Sequence, residues 1–126
     1  MKEKLIQLLN NSYSPYYNFR VAAIVVTNDD KEFGGVNVEN ANGTSICAER
    51  NAIAVAVANG YKKSNFKELY IMLEKGLGTP CFACRQVILE FFELDKKIIC
   101  LDKEGNKKEY TVSELCPYPF SSEDLK

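Results

Sequence analysis

The chain contains no histidine, so a transition metal held by its side chains must be held by thiolates and carboxylates. Two stretches supply such groups at metal-binding spacing: Cys47-Ala48-Glu49-Arg50 and Pro80-Cys81-Phe82-Ala83-Cys84-Arg85. Each reads as a helix start. Residues three apart share a helix face, so Cys81 and Cys84 can converge on one ion, whereas Cys47 and Glu49, two apart, point roughly 200° away from each other. Cys47 can therefore bind while Glu49 reaches past the metal. A structural zinc takes four protein ligands and a catalytic zinc about three, with water in the remaining place, so Cys47, Cys81 and Cys84 suggest a Zn2+ centre with an open position. Glu49 is then free to act on a substrate.

Other readings of the same residues stand beside this one. Cys-x-x-Cys also serves as a redox pair, although usually in a thioredoxin-like pattern that involves only those two cysteines. A closed structural site is the stronger rival: Cys100 or Cys116 would supply a fourth thiolate, Glu49 would be an ordinary surface carboxylate, and the domain would be noncatalytic. Catalysis also has to overcome the charge of the ligands. Zinc lowers the pKa of a bound water from about 15.7 to about 7, but three thiolates leave the complex with a formal charge of about −1 and weaken that pull. Helix N-termini beside both ligand groups would offset this, as would a hydrogen bond from Arg50 to a ligating sulfur.

The elements that must position these groups follow from periodicity and turn residues. Leu5, Ile6, Leu8 and Leu9 recur at helical spacing over about 2–11, and the stretch Asn11 to Asn18, with Pro15, stops that helix. Val21, Ile24, Val25 and Val26 mark a buried strand from Phe19 to Thr27, and Asn28-Asp29-Asp30-Lys31 turns it into a second near Glu32 to Val38. A polar loop from Asn40 to Ser45 leads to the first cysteine helix, Cys47 to Asn59, with Gly60 as its stop. Ala52 to Ala58 is apolar all round, which predicts burial on more than one side. Leu69 to Leu73 is a third strand, Glu74 to Thr79 a loop, and Cys81 to about Glu93 the second cysteine helix, with Val87, Ile88, Phe91 and Phe92 facing the core. Ile98 to Leu101 and Glu109 to Val112 are the last two strands, followed by a short turn capped by Ser113. The order αββαβαββ describes an α/β fold with a mixed five-stranded sheet and helices on its faces.

Length and composition bound the function. The 126 residues fit one domain, 1–126, large enough for a core without disulfides. Five cysteines, an odd number, fit reduced thiols and metal binding in the cytoplasm better than an extracellular disulfide framework. Residues 1–10 mix charges and amides with leucines, unlike a signal peptide, and no apolar run is long enough to span a membrane. A net charge of −1 with interspersed signs gives no basic stripe for nucleic acid, so a free small molecule is the expected substrate.

The order Cys-Ala-Glu-Arg, then Pro-Cys-x-x-Cys-Arg-Gln, resembles the small, homotetrameric, three-cysteine cytidine deaminases. The resemblance extends to Tyr13-Ser14-Pro15 and Phe19, to Asn37-Val38-Glu39-Asn40, and to Phe120-Ser121-Ser122-Glu123-Asp124-Leu125. It implies a three-layer α/β/α sandwich and the hydrolytic deamination of cytidine and deoxycytidine in pyrimidine salvage. It also implies Glu49 as the general acid/base that serves N3 and the departing amine. The same resemblance assigns the base's polar edge to backbone groups of Ala48 and Thr79, its face to Phe19, and the ribose hydroxyls to Asn37 and Glu39. Phe120 would cover the pyrimidine bound by a neighbouring subunit. Two features depart from the family pattern. The loop from Asn37 to Cys47 is one residue short and lacks a customary tyrosine, and Phe82 replaces a glycine within Pro-Cys-x-x-Cys. A blasticidin-type deaminase is a related alternative, against which Glu39 favours an ordinary nucleoside.

Overall fold

The computed structural model describes residues 1–126, in the order α1 (Lys2–Leu9), β1 (Val21–Thr27), β2 (Glu32–Val36), α2 (Ala48–Ala58), β3 (Phe66–Leu73), α3 (Phe82–Phe91), β4 (Lys97–Leu101), β5 (Lys107–Thr111) and α4 (Val112–Leu115), with a 3-10 turn at Ser122–Leu125. One sheet holds all five strands in the order β2-β1-β3-β4-β5. Only β3 and β4 run parallel, as the helix α3 between them requires, and the other neighbours are antiparallel. The expected mixed five-stranded sheet is present.

β1 is buried at every position, so both faces of the sheet are covered. Its alternation divides the interior: Val21, Ala23 and Val25 join an apolar cluster with Ala52, Ile53 and Ala56 of α2 and Ile88 of α3, while Ala22, Ile24 and Val26 join a smaller one with Leu5 and Leu9 of α1. These are the three layers of an α/β/α sandwich. Phe66 and Phe92, both in the larger cluster, stack with ring centroids 5.1 Å apart. That packing explains why β3 begins at Phe66, three residues before the strand read from Leu69 onward.

The start of α2 is set by contact with β2. A Cβ built on Gly35 would lie 2.4 Å from the Ala52 nitrogen and 2.7 Å from the Ala48 carbonyl oxygen, so only glycine lets strand and helix meet backbone to backbone here. At the other end Gly60, with φ of 98°, closes the helix: its N–H donates to Val57 O and the Tyr61 N–H to Ala56 O. The all-apolar run of α2 is covered on one side only within the chain, since Ala54, Val55, Val57 and Ala58 are exposed. A further small correction concerns α4, which is capped by Thr111 rather than Ser113. Thr111 and Glu114 form a reciprocal capping box that Ser113, lying inside the helix, has no geometry to make.

Candidate active site

Cys47 and Cys81 stand at the N-caps of α2 and α3, one residue ahead of the helices they were read as beginning. At Cys81 the reason is a cap: the Cys84 N–H donates to its sulfur at 3.4 Å, a bond that an extended residue before the helix can accept. The two helix starts bring three sulfurs together. Cys47 and Cys81 Sγ are 3.8 Å apart, Cys81 and Cys84 Sγ are 3.4 Å apart, and all three lie within 4.8 Å of one another. A tetrahedral ion with Zn–S bonds of about 2.3 Å sets its sulfurs about 3.8 Å apart, whereas a disulfide needs about 2.05 Å. The donor set thus fits zinc. Cys100 and Cys116 lie outside the group. Cys100 is buried in β4, where burial raises its thiol to about 11, and the Cys116 thiol points to Arg85 O at 3.7 Å.

The charges around the sulfurs are consistent with a cation. Glu49 is 5% exposed, and burial holds its carboxyl above the usual range despite its own N–H, Arg50 and the Cys84 thiol beside it. Burial and then Glu49 also push the Cys84 thiol up, while at Cys81 the Cys84 N–H and the neighbouring thiols outweigh burial and bring it down. Arg50 donates to Cys47 Sγ at 3.5 Å and to Ser45 O at 3.4 Å, and its buried Nε has no partner. The expected bond from Arg50 to a sulfur is present. One guanidinium among three sulfurs and a buried carboxylate leaves room for a further positive charge.

A cavity of about 660 Å³ opens onto this corner, and Phe19, Asn37, Glu39, Ala48, Glu49 and Thr79 all line it with Cys47 and Cys81. Phe19 lies ahead of β1, exposed to the cavity instead of packed in the core, because the Asn37 side-chain amide donates to its carbonyl oxygen and holds it there. Asn37 and Glu39 alternate along one extended segment and so face the same way. Both are nearly buried, and both are largely engaged: Asn37 Oδ1 accepts from Ser12 Oγ and from the Val21 N–H, while Glu39 accepts from Ser14 Oγ and from the N–H groups of Tyr16 and Tyr17. One N–H of the Asn37 amide and one lone pair of Glu39 remain. The hydrogen bonds outweigh burial and hold the Glu39 carboxyl below its usual value.

Thr79 reaches the cavity from the loop before Cys81, and neither its N–H nor its carbonyl has a partner in the chain. Phe120 does not line this cavity; it lies beside α3, where Gln86 Nε2 donates to its carbonyl oxygen at 2.7 Å. Tyr17, Ile46 and Leu73 also line the cavity and were not read from the sequence. Tyr17 had a legible signal, being two residues from Phe19 in the same turn.

The cytidine and deoxycytidylate deaminase zinc-binding region, as a family model, matches residues 1–101. The chain belongs to that deaminase family. A probable cytidine deaminase of Dictyostelium discoideum is 39% identical over 98% of this chain and 86% of its own length. A cytidine deaminase of Mycoplasma genitalium is 34% identical over 90% of this chain and 87% of its own. Among solved structures, a cytidine deaminase from Burkholderia pseudomallei is 37% identical and covers 94% of both chains with a TM-score of 0.89. The Glu49 carboxyl and two of the three sulfurs, Cys47 and Cys81, line one cavity at the starts of α2 and α3.

Proposed function

We propose that the chain is a zinc-dependent cytidine deaminase that hydrolyses cytidine and deoxycytidine to uridine and deoxyuridine, with one catalytic domain over 1–126. The observation that carries this reading is the buried Glu49 carboxyl, which faces the same cavity as Cys47 and Cys81 without belonging to the sulfur trio. Cys47, Cys81 and Cys84 hold the zinc, which when bound supplies a Lewis acid and an activated water at neutral pH. Glu49 carries a proton to the ring nitrogen N3 and then to the departing amine. Its buried, raised carboxyl is suited to both giving and taking that proton. Arg50 offsets thiolate charge through Cys47.

The base enters against Phe19, and its polar edge meets the main chain of Ala48 and Thr79. The sugar lies toward Asn37 and Glu39, whose remaining N–H and lone pair fit one hydroxyl acting as acceptor and donor. Phe120 serves a neighbouring subunit in a homotetramer. Support for assembly comes from the exposed Val55 and Val57 of α2 and from Phe120, which is 58% exposed. Five free cysteines fit a cytoplasmic setting, where pyrimidine salvage operates, and no helix is long and apolar enough to cross a membrane.

The test couples zinc content to ammonia release over cytidine, deoxycytidine, blasticidin-type and adenine nucleosides. The expected result is one zinc per chain and release from the first two. Bound zinc with no release from any nucleoside would return the noncatalytic structural reading.

A further inference from the structure

Arg85 lies one residue past Cys84 and hydrogen-bonds to none of the three sulfurs. Its guanidinium instead gathers three acceptors: Nε–H donates to Pro80 O at 2.8 Å, one terminal nitrogen to Leu115 O at 2.9 Å, and the other to Thr79 Oγ1 at 2.9 Å. Thr79 and Pro80 form the loop just before the Cys81 cap, whereas Leu115 ends α4, so one planar fork joins the cavity wall to the far end of the chain. Phe82 completes the arrangement. It stands three residues before Arg85 on α3, hence on the same face, and its ring lies 4.5 Å from the guanidinium carbon. At 76% exposed, that ring contributes little to any core, and its visible contact is to Arg85.

We propose that Arg85, held flat by Phe82, is a positioning residue that fixes the Thr79-Pro80 turn so that the main chain of Thr79 meets the substrate base at a set place. The Thr79 hydroxyl is already taken by Arg85, and its N–H and carbonyl are unpaired, so the main chain is what Thr79 has left to offer a ligand. The fork matters more than the charge: a lysine there can reach one of the three acceptors but not all. The ring shields one face of the guanidinium from water and limits its rotation. That the ligand is a cytosine base rests on the deaminase reading proposed above; that the turn is clamped does not.

Two measurements on the zinc-loaded full chain separate these claims. In Arg85→Gln and Arg85→Lys, backbone 15N order parameters over residues 75–79 should fall from about 0.85 toward about 0.6 while those of residues 2–9 stay unchanged, and Phe82→Gly should give about half that fall. With cytidine as substrate, KM should rise about tenfold in both Arg85 variants and about threefold in Phe82→Gly, with kcat within about twofold and zinc at one per chain. Unchanged order parameters over 75–79, or unchanged KM with lowered order parameters, would overturn the proposal. If an Arg85 variant does not fold, Phe82→Gly decides alone, because its side chain is exposed. A zinc-loaded wild type that releases no ammonia from cytidine would sink the deaminase reading, and the order parameters would still decide the clamp.

Discussion

At one end of the cavity Cys47, Cys81 and Cys84 hang from helix starts with few other tasks, and the polar groups that act on Glu49 are its own amide, Arg50 and Cys84. At the other end Asn37 and Glu39 commit most of their hydrogen-bonding capacity to residues 12–21. The first set makes few hydrogen bonds to distant parts of the chain, so its alteration should leave the rest of the fold in place, while the second holds up the loop that presents Phe19 and Tyr17. Chemistry and architecture are therefore separable at the sulfur end and fused at the sugar end. The same side chains that would read a ribose also determine where the cavity's aromatic wall stands.

Substitutions can break this comparison at either end. Cys84→Ser removes the most buried sulfur, so zinc and deamination should vanish together, the latter by more than about 10³-fold, while α1 and the smaller apolar cluster keep their exchange protection. Zinc analysis and ammonia release measure both. Glu39→Gln should act on two properties at once: KM for cytidine rises about tenfold, and the melting temperature falls. Its acid behaviour sharpens the point. Because folding depresses the Glu39 carboxyl below its ordinary 4.5, its contribution to stability is full above that value and is lost as pH falls through the folded pKa. The stability difference between wild type and Glu39→Gln should therefore narrow below about pH 4.5, as followed by denaturant unfolding at stepped pH. A constant difference would show that Glu39 acts only by its shape.

A smaller expected effect concerns Phe120. Co-refolding Glu49→Ala chains with chains truncated before Phe120 should give mixed assemblies whose activity exceeds the sum of the two alone, since an intact centre then meets an intact Phe120. Simple additivity in mixed tetramers confirmed by mass would place Phe120 in the service of its own chain. Smallest of all is the double variant Cys100→Ser with Cys116→Ser, which should keep one zinc per chain. Loss of zinc from it would revive a four-thiolate site.

How much of this was legible in the sequence depended on the range of the interaction. Cys81 and Cys84, Gly60 as a helix stop and the β-branched run of β1 are local patterns, and each came through because neighbours along the chain fix it. Burial of α2 on more than one side came through only in part: one side meets the sheet, but the other faces outward in a single chain, where periodicity names no partner. The engagement of Asn37 and Glu39 by Ser12 and Ser14 spans 25 residues, and Arg85 reaches Leu115 across 30. Such bonds exist only once the sheet has brought loops together, and no spacing rule anticipates them. Ser113 was misread as a cap because Thr111 offers the same chemistry two residues earlier and has the Glu114 partner.

The central claim is that Glu49 moves the proton while the three cysteines hold the metal without it. Glu49→Ala compared with wild type, with zinc content and ammonia release from cytidine measured on the same preparations, tests it directly. The account predicts one zinc per chain in both proteins, an unchanged fold by circular dichroism, and release lowered by at least about 10²-fold. Turnover above about a tenth of wild type, or loss of zinc along with the carboxylate, would contradict it.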